Sequence, residues 1–479
     1  MSAAMISGLR KRTLHEPTEQ WLEDEHYKPL TFAEPRPSTG DIHGPRINRT
    51  MPLSLSQFRT MMSGTGLKKR RWLRTLRYTI AVPHRIEDWK ALEGRFYWGG
   101  HMERLRNDEQ FGKAIADLFE TLSTWSEHHR LSLEINVIGY KTYLEPHTEW
   151  AADAGEYTWI MRLGREFAIP PYRARFLYDD ASRLANVPCI DRIIFANKDD
   201  LKGITRTRHQ TWVGTMFQII EHCPTIREAQ LDLEEFIRPD HEYLMRDRRQ
   251  ALAEGLPKLL RTLKKLVYAN QIERNWITPM PAINVLSSET DTLSNNLRDL
   301  TFSLRELKLK QTALSLDWLF PLNENCEPVP NTTEYYWPHL ETISLYEVPE
   351  FLPSGEYLFH YHPAMEPEYA EIEDWDDAIC QTNPIGIVEK TWPGRSLIDH
   401  EAFHRLYISM GHAAQRMPQL RQMGHVLVAD EKGNSEDDWQ NNFTCLRLKS
   451  TGNLAVCWDS EAGYRPDKRV AAAWGFESQ

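Results

Sequence analysis

Large apolar residues (Φ) recur along this chain in one short pattern, Φ-x-x-Φ-x-Φ. PCIDRIIF (188–195), PTIREAQL (224–231), PHLETISL (338–345) and PQLRQMGH (418–425) each open on proline and one residue. An aliphatic, two polar-leaning residues and another apolar or small residue follow. LRTLRY (73–78), LKKLVY (263–268) and LRELKL (304–309) match without the proline. Here the first Φ packs under a turn, and the alternation after it predicts a short, half-buried strand. The first Φ falls at 190, 226, 263, 304 and 340, and the next, Leu420, fits two further steps.

Between these strands lie stretches with helical spacing. QFGKAIADLFETLSTWSEHH precedes LSLEINV, QTWVGTMFQIIEHC precedes PTIREAQL, and YLMRDRRQALAEGLPKLLRTL precedes LKKLVY. Strand, loop, helix and strand at a near-constant period predict stacked units, none of which can cover its own apolar face. The expected fold is α/β: an irregular leucine-rich-repeat-like solenoid, with a curved parallel sheet and helices on its outer face. The period exceeds the usual 20–29 residues, and the asparagine that commonly follows the strand is mostly missing. Long insertions, VIGYKTYLEPHTEWAADAGEY and FHYHPAMEPEYAEIEDWDDAICQTNP, are expected as loops along one rim. FTCLRLKSTGNLAVCWDS (443–460) reads as a hairpin capping the last unit. Residues 1–52 are polar and punctuated by proline, which predicts a disordered arm. The solenoid is then expected over 53–460 and a tail over 461–479.

Charge narrows the function. The net charge is −11, the wrong sign for a general nucleic-acid binder, so none is expected as a partner. The one basic run, KKRRWLR (68–74), reads as a solvated turn leading into a strand, or as a nuclear-import or phosphate patch. Six scattered cysteines form no C-x-x-C pair, which argues against a disulfide framework or a cysteine–zinc knuckle. The first residues lack the apolar core of a signal peptide, and no run of about 18 apolar residues predicts a membrane span. The expected location is intracellular, in cytoplasm or nucleus.

One motif carries possible chemistry. His400-Glu401-Ala402-Phe403-His404 spells H-E-x-x-H, in which two histidines four apart on a helix bind zinc and the glutamate activates water. Ser396 and the following residues look like a capping box, predicting a helix over about 397–416. Its inward face would hold Phe403, Leu406, Tyr407, Met410, Ala414 and Met417, with His400 and His404 flanking it and Glu401 roughly opposite. The third ligand of the extended motif is missing, because Gly411 and His412 have the wrong spacing. The helix therefore reads as structural, with a zinc hydrolase on His400, Glu401 and His404 as the rival. The acidic EIEDWDD (371–377) and SGTGLKK (63–69) lack the spacing of a cation or phosphate site, and His360 and His362 alternate as in a strand with no third ligand.

The stretches LRTLRYTIAVP, QFGKAIADLFETLSTW with LSLEI, ANVPCIDRIIF, CPTIREAQLDLEE, WPHLETISLYEV, FHRLYISMGHAAQRMPQLRQMGHVLV and GYRPDKRVAAAW together span about residues 53–475. In these the chain resembles a family of fungal F-box-associated, leucine-rich-repeat-like proteins. The resemblance implies a substrate receptor, whose F-box would dock a cullin-type ubiquitin ligase through its adaptor subunits while the repeats hold a target. Residues 1–52 contain nothing like the F-box opening run L-P-x-E-[IL]-x-x-x-I. The expectation is a non-catalytic protein-recognition module with no cofactor and a protein ligand of unknown identity. Contacts would come from variable strand positions such as Arg305, Glu306, Glu341, Thr342, Arg421 and Gln422.

Overall fold

A computed structural model describes residues 30–32, 54–82, 102–139, 172–178, 180–195, 210–233, 242–270, 283–361, 395, 397–428, 442–450, 454–459 and 464–476. Eleven strands form the main sheet: β1 (Leu30–Phe32), β2 (Thr75–Val82), β3 (Leu131–Gly139), β5 (Ile190–Phe195), β7 (Glu228–Leu233), β8 (Lys265–Asn270), β9 (Glu306–Lys310), β10 (Thr342–Val348), β13 (Gln422–Val428), β14 (Asn442–Ser450) and β15 (Leu454–Asp459). Among the described residues two small pairs complete the strands: β4 (Arg173–Ala174) with β6 (Gln210–Thr211), and β11 (Phe359–His360) with β12 (Leu397–Ile398). The helices are α1 (Leu55–Met61), α2 (Leu67–Arg70), α3 (Met102–Ser123), α4 (Val213–Glu221), α5 (Glu242–Gly255), α6 (Thr292–Thr301), α7 (His400–Ala414) and α8 (Lys468–Ala473).

From β2 to β13 eight strands run parallel, each beside the next in chain order. The result is a mixed α/β architecture. Because the order never reverses, the sheet has no switch point of the kind that opens a nucleotide crevice in doubly wound folds. The antiparallel hairpin β14–β15 lies against β13 at one end, and β1 lies against β2 at the other. Leu30–Phe32 thus form a strand within the stretch expected to be disordered; the rest of 1–52 lies outside the described residues.

The repeated pattern builds the core directly. Ile190, Ile226, Leu263, Leu304 and Leu340 are fully buried, as are the second-position residues Ile193, Ala229, Leu266, Leu307, Ile343 and Met423. At the third position of the last unit His425 takes the place of an aliphatic, in register with Leu345. It is 1 % exposed, and the Tyr407 hydroxyl lies 3.3 Å from its Nδ1. Helices cover the apolar rows. In α3, Phe111, Ala114, Ile115, Leu118, Phe119 and Leu122 fall at i, i+3, i+4, i+7, i+8 and i+11, and all are fully buried. Asp291 caps α6 and accepts from Arg249 Nη2 at 2.6 Å and from Ser315 Oγ at 2.8 Å.

Two expectations change. The 80-residue interval from Leu340 to Leu420 is a single sheet step, because β10 pairs directly with β13. The extra length is an insertion that includes β11 and β12, tied in part by the buried ion pair of Arg395 with Glu350 at 2.9 Å. In addition, the β9–β10 connection contains no α-helix. A 3-10 turn (Pro330–Glu334) and the buried Trp318, Phe320 and Trp337 fill that space instead. Among the described residues no helix is long and apolar enough to cross a membrane.

Candidate interaction surface and the H-E-x-x-H helix

Strand alternation turns the x positions of the pattern to the face opposite the core. The parallel register lines them up: Thr75, Ser132, Arg192, Glu228, Lys265, Glu306, Thr342 and Gln422 are successive neighbours across the eight strands. The central members alternate in charge and pair along the row. Glu228 meets Arg192 Nε at 3.2 Å and Lys265 Nζ at 3.4 Å; Glu306 meets Lys265 Nζ at 3.3 Å and Lys308 Nζ at 2.7 Å. Partial burial works against the Glu306 carboxylate, yet Lys308 and Lys265 together outweigh it and hold its pKa below the ordinary range. Such surface pairs are worth about 0–1 kcal/mol each, so the row adds little to stability. What it provides is a fixed array of long charged side chains, on the face that also carries the half-exposed ring of Tyr346, the register partner of Lys310.

The six residues singled out for contact lie together at the amino-terminal ends of β9, β10 and β13. Glu306, Thr342 and Gln422 are register neighbours. Arg305, Glu341 and Arg421 precede them as one backbone ladder: Glu341 N donates to Arg305 O and Arg421 N to Glu341 O, both at 2.8 Å. Arg421 also pairs with Glu341 at 3.5 Å. The array that sequence reasoning left out is its continuation through β8, β7 and β5. Its signal was the opposite charges at equivalent positions of successive units: Arg192, Glu228, Lys265 and Glu306.

The H-E-x-x-H segment does form a helix, but it starts later than expected. Asp399 caps α7 by accepting from Ala402 N at 3.0 Å, while Leu397–Ile398 are strand rather than helix. The inward face is as read: Phe403, Leu406, Tyr407, Met410, Ala414 and Met417 are all buried. The motif's polar groups are taken by the carboxy-terminal segment, which was expected only as a tail. Arg469 donates to both Glu401 oxygens at 2.7 Å, and this bidentate pair holds the Glu401 carboxyl below its usual range. His404 Nε2 faces the Arg465 carbonyl at 3.2 Å, and its Nδ1 lies 3.3 Å from Arg469 Nη2. His400 stacks on Tyr464, whose ring also packs on Phe403 and Tyr407.

This geometry suits docking better than catalysis. A water-activating glutamate must accept a proton, and a zinc-binding imidazole must present a free lone pair. Here Glu401 is clamped by a guanidinium, and both nitrogens of His404 face other groups. Among the described residues no cluster of three or more His, Cys, Asp or Glu side chains is placed to hold a metal ion. His360 is exposed with its Nε2 3.9 Å from Asp399, whereas His362 and the EIEDWDD stretch lie outside the described residues. In SGTGLKK, Gly64–Gly66 form a 3-10 turn that runs straight into α2.

A second polar cluster lies elsewhere. Asp108 accepts from the Tyr172 hydroxyl at 2.6 Å and from Arg175 N at 3.1 Å, and Arg175 reaches Asp247 at 3.4 Å. Burial raises the Asp108 pKa despite these donors. The cluster ties α3 to β4 and to α5. Compared with known proteins, the chain matches no family model, no curated protein and no solved structure.

Proposed function

We propose that the protein is a non-catalytic recognition module, an irregular leucine-rich-repeat-like solenoid that holds a protein partner on its strand face and the adjoining loop rim. One observation carries this reading: a register-matched array of alternating charges on the sheet face away from the core, with Tyr346 further along β10 on the same face. Arginine and tyrosine side chains held on rigid strands are well suited to protein contact, because little rotamer freedom remains to be lost on binding. The unbroken sequential order of the eight parallel strands supports stacked units. The resemblance noted above supports an intracellular role as an F-box-type substrate receptor of a cullin ubiquitin ligase.

The test is affinity purification of the full chain from its native cell. Co-purification of ligase adaptor subunits with a target is the expected result. A target without adaptors would leave the recognition module and remove the receptor role. Peptide hydrolysis lost on His400→Ala would overturn both.

A further inference from the structure

The basic run at 68–74 is continued by other parts of the fold. Residues just before the parallel strands form the amino-terminal edge of the sheet, and from β2 to β9 that edge holds Arg74, Arg130, Arg227, Lys264 and Arg305. Two acids adjoin this row: Asp191, the second residue of β5, is shared by Arg130 at 3.7 Å and Arg227 at 3.4 Å, and Glu341, next to Arg305 in the backbone ladder, pairs with Arg421 at 3.5 Å. Arg305 has no acidic partner among the described residues, and neither have Lys68 and Lys69 on α2. Backbone bonds fix the spacing: Lys264 N donates to Arg227 O at 2.8 Å, and Arg305 N to Lys264 O at 2.7 Å. Five strand steps of ~4.8 Å make the row about 24 Å long, roughly the reach of seven or eight extended residues. At its β2 end two large apolar side chains stand in solvent, Leu67 at 53 % and Trp72 at 57 % exposed, with the Arg71 guanidinium 4.9 Å from the Trp72 ring.

We propose that this edge docks an acidic segment of a partner protein, with an apolar residue of that segment seated on Leu67 and Trp72. The inference deepens the recognition reading above by naming a second surface and the chemistry it takes. Charge complementarity selects the class. A local cationic row on a chain of net charge −11 attracts a short acidic stretch within about one Debye length, ~8–10 Å, whereas a long nucleic acid also meets the repulsion of the remainder. The exposed Trp72 beside arginine has the composition of an interface anchor.

The probe is a fluorescein-labelled twelve-residue peptide of alternating Glu and Gly with one Leu at its end, titrated into the full chain at two salt concentrations. Binding should weaken as salt rises and fall at least about tenfold in the Arg227→Glu/Lys264→Glu/Arg305→Glu variant. Trp72→Ala should weaken it several-fold while leaving the salt dependence unchanged. Arg227, Arg305 and Trp72 are exposed, whereas Lys264 is half-buried and donates to Arg261 O and Ser303 O, so an unchanged circular dichroism spectrum and melting point identify variants that still fold. Three results would overturn the proposal: no binding by the unaltered protein, indifference to the triple variant, or tighter binding of a single-stranded RNA twelve-mer than of the peptide. If strand-face variants abolish partner capture while these edge variants do not, only this inference fails.

Discussion

His425 occupies a slot that five earlier units give to Phe195, Leu231, Tyr268, Leu309 and Leu345. Burial alone pushes its pKa down to about 4, and the Tyr407 hydroxyl lies within hydrogen-bond reach of Nδ1 of the neutral ring. The consequence for stability has a definite sign. In the unfolded chain the imidazole takes up a proton below about pH 6.5, whereas in the folded chain it does so only below about 4. Between those values the unfolded state binds more protons, so stability falls as pH drops from about 6.5 to 4, by up to ~3 kcal/mol. Urea melts of His425→Leu should show a flatter acid limb over that window than the unaltered protein. An identical pH dependence would contradict the assignment. Asp291 shows the opposite balance: burial would raise its carboxyl, but Arg249, Ser294 and Ser315 together outweigh burial and lower it. Asp291→Ala removes a helix cap and strands a buried guanidinium, so its expected cost is ~3–5 kcal/mol by denaturant melts.

At the scale of elements, α7 is defined by what docks on it. Trp474 Nε1 donates to Tyr407 O at 2.9 Å, and a Cβ on Gly411 would come within 2.9 Å of the Ala473 backbone. In an exposed helix Gly→Ala stabilises by up to ~1 kcal/mol; here Gly411→Ala should destabilise, because α8 must move away. Trp474→Ala should cost ~3–5 kcal/mol, and Glu401→Ala no more than ~1 kcal/mol, since its ion pair is largely exposed. Metal analysis bears on the same helix: the docked geometry predicts no stoichiometric zinc, and zinc lost on His400→Ala would contradict it. The strands were legible because Φ-x-x-Φ-x-Φ states both period and face. The start of α7 was misread because Ser396-Leu397-Ile398-Asp399 resembles a capping box, whereas Leu397–Ile398 is drawn into pairing with Phe359–His360. No local pattern marks Arg469 or Trp474 as partners of α7, since contacts about 65 residues apart leave no periodic trace. The length of the β10–β13 connection was ambiguous for a similar reason, because one further unit and one long insertion occupy the same number of residues.

Across the whole molecule, the eight parallel strands follow the chain without reversal, so residues far apart in sequence, about 36 to 41 from β5 to β10, become neighbours on one face. That geometry converts small differences between units into a surface pattern, and the proposed function rests on it. The most direct measurement titrates the partner recovered from the native cell into the full chain and into a Glu306→Lys/Lys308→Glu/Tyr346→Ala variant of unchanged melting point. Three contacts of ~1 kcal/mol each predict binding weaker by about a hundredfold or more. Equal affinity for the two proteins would contradict the assignment of the strand face as the recognition surface.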